Sequence, residues 1–262
     1  MKKFDRDYAA SLAHTVGELS CEEFQHAGVG TVWKEDETPF TVGDKIAHEF
    51  LVNSVRRDFP RMSIISEEGL DTIEYPEYTF LCDPIDGSIP FNQGIPIWTN
   101  VFSVLREGEP ILAAINDPVM KRLFIAEKGK GATLNGQPIR VSQKSELKNA
   151  EIVGVWWRGS KFRLHNIFGE LMERGAGWAN PCSIAHPAAN VARGVIEATI
   201  FAGDKPWETA AIKLIVEEAG GRVTDIYGDE FKRLDGPIKG HIASNGLIHE
   251  ELVKISQSFN CA

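Results

Sequence analysis

Two aspartates three residues apart stand at the end of an apolar run in Leu81-Cys82-Asp83-Pro84-Ile85-Asp86-Gly87-Ser88. Proline fixes its own φ and holds the residue before it extended. The carboxylates of Asp83 and Asp86 are therefore expected on one side of a rigid bend. Gly87 and Ser88 follow with backbone N–H groups, and Ser88 with a hydroxyl, where an anion can be cradled. A type I turn in which the aspartates only cap backbone groups uses the same residues. Other acids shift the balance. Ser63 to Gly69 places Glu67 and Glu68 at the end of another short apolar run, and Pro206-Trp207-Glu208 opens a helical segment with a carboxylate. Taken alone, Glu208 reads as a helix-dipole partner. Three separate segments that deliver acids at element ends fit the hard, oxygen-rich coordination that magnesium demands. The histidines are scattered along the chain, which argues against a zinc hydrolase.

Composition bounds the remaining classes. The chain has 262 residues, 43% of them hydrophobic and 25% charged, enough for one large or two small globular units. A net charge of −9 with no basic, aromatic-interleaved run argues against a nucleic-acid polymer as partner. An anionic substrate then needs bound cations to reverse the local sign. Nowhere do about 18 apolar residues run together, and the amino terminus is charged, so the expectation is a cytoplasmic protein with no membrane partner. Cys21, Cys82, Cys182 and Cys261 are far apart and are read as free thiols.

The elements that must position these acids follow from periodicity. Apolar residues at helical spacing predict helices over Asp5 to His26 and from Thr41 to Phe59, ahead of Pro60. Short apolar runs predict strands at Met62 to Ile65, Tyr78 to Cys82, Asn100 to Leu105, Ile111 to Asn116 and Arg122 to Ala126. Their connections are too short for crossover helices, which implies an antiparallel or mixed sheet. Beyond Lys144 strands and helices alternate: a strand at Glu151 to Trp157, helices at Ser160 to Arg174 and Ser183 to Arg193, a strand at Val195 to Phe201, a helix at Trp207 to Ala219, and a strand and helix within Gly240 to Ser258. The polar stretch Ser142 to Asn149 divides residues 1–145, an α+β part with most of the acids, from residues 146–262, an α/β part that adds Glu208 and substrate contacts.

Asp83-Pro84-Ile85-Asp86-Gly87-Ser88, with Trp207-Glu208-Thr209-Ala210-Ala211 leading to Glu218-Ala219-Gly220-Gly221, resembles the inositol monophosphatase family of lithium-sensitive, metal-dependent phosphatases. The likeness runs from about Lys34 to Gly246. It implies a layered αβαβα sandwich of the fructose-1,6-bisphosphatase type, usually a homodimer, and hydrolysis of a small phosphate monoester with two or three Mg2+ ions. By resemblance, Glu67, Asp83 and the backbone carbonyl of Ile85 hold one ion, Asp83, Asp86 and Glu208 a second, and Glu67 faces a third. Thr41-Val42-Gly43-Asp44 resembles the family's T-x-x-D block, whose aspartate orients the attacking water with the hydroxyl of Ser88. Asp44 also suits a first-turn helix cap, and the two roles are compatible. Gly87 and Ser88 would donate to the phosphate, and no covalent enzyme intermediate is needed.

Three departures from the family pattern bear on function. Glu208 replaces the usual aspartate after the tryptophan, Pro90 removes an N–H after the first motif, and Phe201 stands seven positions before Glu208, where a hydroxyl-binding glutamate is common. An apolar wall discriminates hydroxyls poorly, so myo-inositol phosphate is not assigned. Ser183, in the substrate-lining stretch, is a candidate sugar or polyol contact, and Asp204 a candidate substitute for the missing glutamate. Trp156, Trp157 and Trp178 are read as strand or interface aromatics. Fructose-1,6-bisphosphate, histidinol phosphate and a 3′-phosphoadenosine nucleotide are alternative substrates, and a catalytically weakened metal-binding regulatory protein is the alternative of another class.

Overall fold

The computed structural model describes residues 3–35, 37–72, 76–157, 160 and 162–260. The chain begins with α1 (Arg6–Phe24), capped by the Asp5 carboxylate on the Tyr8 N–H. A hairpin of β1 (Val32–Trp33) and β2 (Pro39–Phe40) leads into α2 (Val42–Asp58). Thr41 and Asp44 close a reciprocal capping box at the start of α2.

An eight-stranded sheet follows: β3 (Ser63–Ser66), β4 (Gly69–Asp71), β5 (Tyr78–Asp86), β6 (Thr99–Arg106), β7 (Glu109–Asp117), β8 (Arg122–Glu127), β9 (Ala132–Leu134) and β10 (Gln137–Pro138). Its spatial order is β10-β9-β8-β7-β6-β5-β3-β4, with the β3–β5 pair parallel and the rest antiparallel. The short helix α3 (Ser88–Asn92) sits between β5 and β6.

The second sheet holds β11 (Glu151–Val155), β12 (Gly177–Ala179), β13 (Ala198–Phe201), β14 (Arg222–Thr224) and β15 (His241–Ser244), in the order β12-β11-β13-β15-β14. Around it lie α4 (His165–Glu173), α5 (Ala185–Ala192), α6 (Trp207–Glu218) and α7 (His249–Asn260).

Strand alternation assigns the layers. Phe102, Leu112 and Ala114 face α1 and α2, where they join Leu12, Val16, Leu51 and Val55. Their strand neighbours Val101, Ala113 and Ile115 face α5 and α6 and meet Ala188, Ile212 and Ile215. The second sheet repeats the division: Val153, Val155 and Phe201 pack on the α5–α6 layer, while Ile152, Ile200 and Ile242 pack against Ile167, Leu171 and Leu252 of α4 and α7. Helix, sheet, helix, sheet, helix is the expected αβαβα sandwich. No helix among the described residues is long and apolar enough to cross a membrane.

The differences from the sequence reading have local causes. The strand predicted to stop at Cys82 continues to Asp86. The helix expected from Ser160 begins at His165, because the Ser160 hydroxyl turns back onto the Trp157 carbonyl at 2.7 Å. The two-to-three-residue strands β1, β2, β4, β9, β10, β12 and β14 are too short to show a period. Cys21, Cys82 and Cys182 are free thiols; Cys261 lies outside the described residues.

Candidate active site

In a regular strand residues i and i+3 face opposite sides. Asp83 pairs with Val101 and Asp86 with Thr99, so three steps along β5 span two along β6. That extra residue is a β-bulge, and it turns both carboxylates to one side. Asn100 Nδ2 fastens the bulge by donating to the Pro84 carbonyl at 2.7 Å, and the Ile85 N–H donates to Asp83 Oδ1 at 3.0 Å. The expected bend is thus a register slip inside a strand rather than a turn beyond it.

Asp86 is anchored to the helix layer. Its Oδ2 accepts from Ser183 Oγ at 2.5 Å, Ala185 N at 3.0 Å and Thr99 Oγ1 at 3.0 Å, and its Oδ1 accepts from Ile184 N at 2.8 Å. α5 has no N-cap side chain of its own. Asp86 satisfies its first free N–H groups from a distant strand. This explains why the helix starts at Ala185 rather than Ser183. Ser183 is buried with its hydroxyl given to Asp86, so its first task is to hold that carboxylate.

α6 brings the third acid. Glu208 stands in its first turn, and the next residue, Thr209, has Oγ1 2.8 Å from Nδ1 of the buried His241 on β15. One carboxylate oxygen each from Asp83, Asp86 and Glu208 lies within 4.8 Å of the others, all in buried residues. Burial pushes the Asp83 and Glu208 carboxyls well above the usual carboxylate range, and the charge of Glu67 adds to both. Burial raises Asp86 as well, against the pull of its four donors. Glu208 Oε2 is buried with no hydrogen-bond partner among the described residues. An orphaned carboxylate oxygen amid two more carboxylates, with the nearby Lys34 paired to Glu67 and Glu68, is a fit for a hard divalent ion such as Mg2+.

Asp44 reaches the same place from α2. Its Oδ2 accepts from Thr41 N at 2.7 Å and Thr41 Oγ1 at 2.5 Å, and its Oδ1 accepts from Ser88 Oγ at 3.4 Å. Ser88 Oγ also lies 3.2 Å from the Ile85 carbonyl. Burial, opposed by the Thr41 hydrogen bonds, lifts the Asp44 carboxyl to about 6. Two glycines permit the approach. A Cβ on Gly43 would lie 2.6 Å from Phe91 Cζ, and one on Gly87, at φ +93°, would lie 2.9 Å from the Ile97 carbonyl.

Glu67 follows β3, with its N–H on the Cys82 carbonyl at 3.0 Å. It adjoins Asp83 but stays outside the compact trio. Lys34 Nζ lies 2.9 Å from Glu67 Oε1 and 2.5 Å from Glu68 Oε1. Burial lowers the Lys34 ammonium, but the two glutamates more than reverse this and hold it above its ordinary value. A cavity of about 330 Å³ opens over the trio, with Lys34, Glu67 and Ser88 among its lining residues and Trp156, Trp157, Phe201, Asp204 and Lys205 on its walls. Sequence reasoning missed Lys34 and Glu68 as site residues. It set aside Trp156 and Trp157 as strand or interface aromatics, yet both line the cavity, whereas Trp178 stacks on Phe168 with centroids 4.5 Å apart. Two consecutive indoles at the end of a strand were the available signal.

The profile described as the inositol monophosphatase family matches residues 3–260. The chain belongs to that family. It is 36% identical over 213 residues to the fructose-1,6-bisphosphatase/inositol-1-monophosphatase of Thermotoga maritima, covering 81% of this chain and 80% of that one. A histidinol-phosphatase of Chlorobaculum parvum is 28% identical over 249 residues, covering 95% of each. Among solved structures, a Thermotoga maritima IMPase superposes with a TM-score of 0.87 at 30% identity, covering 97% of this chain and 96% of that chain. The protein is accordingly a phosphoric monoester hydrolase of the inositol monophosphatase family with an acidic centre suited to Mg2+.

The structure places each departure from the family pattern. Glu208, one methylene longer than aspartate, still brings an oxygen to Asp83 and Asp86. Pro90 is the third residue of α3, where its missing N–H has no intrahelical acceptor to lose. Phe201 forms cavity wall, its ring 5.9 Å from that of Trp157 and 5.1 Å from that of His241.

Proposed function

We propose that the protein hydrolyses a small phosphate monoester, of the sugar, polyol or inositol phosphate type or of the alternative histidinol phosphate or nucleotide type, with two or three Mg2+ ions held by Asp83, Asp86, Glu208, Glu67 and the Ile85 carbonyl. Bound Mg2+ supplies an acidified water and neutralises phosphoryl charge. The rest falls to the chain. Asp44 accepts from Ser88 Oγ, and the pair is set to orient the attacking water and take its proton, with Asp44 at a pKa of about 6. Gly87 and Ser88 present N–H groups at the start of α3 to the phosphoryl oxygens. Lys34 neutralises Glu67 and Glu68 at the cavity edge. A cytoplasmic homodimer belongs to the same reading, by resemblance to the family.

The observation that carries this reading is the buried trio of carboxylates, with Glu208 Oε2 left without a hydrogen bond among the described residues, beside the Asp44–Ser88 pair. The test is phosphate release from a panel of monoesters with and without Mg2+, for the wild type and Asp86→Asn. Turnover that requires Mg2+ and disappears in a folded Asp86→Asn supports it. Metal-independent turnover, or a variant with near-normal activity, removes the metal assignment.

A further inference from the structure

The wall of the cavity facing the ester's alcohol is aromatic. β11 and β13 run parallel with Val155 beside Phe201, and both strands end at the cavity. The carboxyl ends of parallel strands are where ligands settle in α/β sheets. Here they deliver Trp156, Trp157 and Phe201, and the start of α6 adds Trp207. Trp157 and Phe201 pack with rings tilted 30° and centroids 5.9 Å apart, and Phe201, 3% exposed, backs the wall from the core. Trp156 is 43% exposed, an indole left open at the mouth.

A polyol needs hydroxyl and carboxylate partners at set positions, and a site built that way discriminates strongly. The Ser160 and Ser183 hydroxyls on this wall are engaged with the Trp157 backbone and Asp86, which leaves Asp204 and Lys205 at the edge as its charged groups and the ring faces as its larger part. A flat ring asks only for ring faces, and Trp supplies large rigid ones at little rotamer cost. The volume of about 330 Å³ lies at the small end of ligand pockets, enough for a phosphate and one ring system.

We propose that the preferred substrate is a phosphate monoester whose alcohol carries a planar unsaturated ring, stacked on Trp156 and bounded by Trp157 and Phe201. Asp204 and Lys205 at the edge meet polar substituents on that ring. The proposal rests on the phosphatase reading above and narrows its substrate.

The test compares kcat/KM for 2-phenylethyl phosphate and myo-inositol 1-phosphate with saturating Mg2+. The expected result is a preference of about tenfold or more for the ring ester, the scale of one stacked ring. Trp156→Ala should shrink that ratio about tenfold, Trp156→Phe should retain most of it, and Trp178→Ala, outside the cavity, should leave it unchanged. Inositol phosphate turned over as well as the ring ester, or a ratio untouched by Trp156→Ala, overturns the proposal and leaves the phosphatase standing. No turnover of the ring ester also overturns the proposal, and the phosphatase reading falls with it only if no monoester of the wider panel is hydrolysed.

Discussion

Replacing Glu208 with glutamine sets stability against activity. The carboxylate oxygens of Asp83, Asp86 and Glu208 lie within 4.8 Å of one another. At that separation two unit charges repel by about 3.5 kcal/mol at an effective dielectric constant of about 20. Glu208 therefore meets about 7 kcal/mol from two ionised neighbours, a repulsion that proton uptake relieves. What glutamine recovers is the cost of a buried, unsatisfied acceptor, about 1–3 kcal/mol, because its amide can donate to Asp83 and Asp86. At about 2–4 °C per kcal/mol for a chain of this size, the metal-free variant should melt about 2–12 °C above the wild type. Mg2+ closes this gap. A cation at 100 times its Kd stabilises the native state by about 2.7 kcal/mol, or about 5–10 °C for the wild type, and the variant should lose most of that gain. Losing about 3 kcal/mol of transition-state stabilisation costs more than 100-fold in rate. Thermal melts in EDTA and in Mg2+, run beside phosphate release, read all three effects. A variant that melts lower without metal, keeps the full Mg2+ increment and turns over normally would make Glu208 a structural acid and refute the shared cation site.

Asp44→Asn should lower kcat by about 10²–10⁴ with little change in KM, the range for a lost general base; a kcat near the wild type in steady-state assays would leave Asp44 as a helix cap alone. Ser183→Ala removes the 2.5 Å donor to Asp86 and should raise the Mg2+ concentration for half-activation about 10–100-fold, as outer hydrogen-bond partners of metal ligands do. An unchanged Mg2+ requirement would contradict that role. In EDTA, the melting temperature should fall from about pH 6.5 to pH 8, above the range in which His241 and His249, lowered by burial to about 3 and about 4, add stability as pH rises. Burial lifts Asp44 from 3.8 to about 6, and burial with the Glu67 charge lifts Glu68 from 4.5 to about 7. The native state then holds more protons than the unfolded chain across that window, so the stability contribution is full below the unfolded pKa values and is lost as pH rises through the native ones. Saturating Mg2+ should flatten the slope, and a flat profile in EDTA would contradict the shifts.

What the sequence disclosed and what it hid divide along one physical line. Asp83, Asp86, Glu67 and Glu208 were legible because each follows or opens an apolar element, a local pattern. Their partners were not, because those contacts are made at long range: Asp86 takes three of its four donors from residues 97 to 99 positions away, and Lys34 reaches Glu67 from a short hairpin with no period. The bulge that aligns Asp83 with Asp86 was hidden for the same reason, since the register is decided by pairing with β6. Long-range packing also explains how a centre that repels itself survives folding. α6 buries Ile212, Leu214, Ile215 and Val216 between the two sheets, and at about 1.5–3 kcal/mol each they contribute about 6–12 kcal/mol. That is of the same size as the repulsion of about 7 kcal/mol that Glu208 meets at the other end of the same helix. Burial of α6 therefore offsets much of the repulsion, and a cation at the trio would relieve what remains.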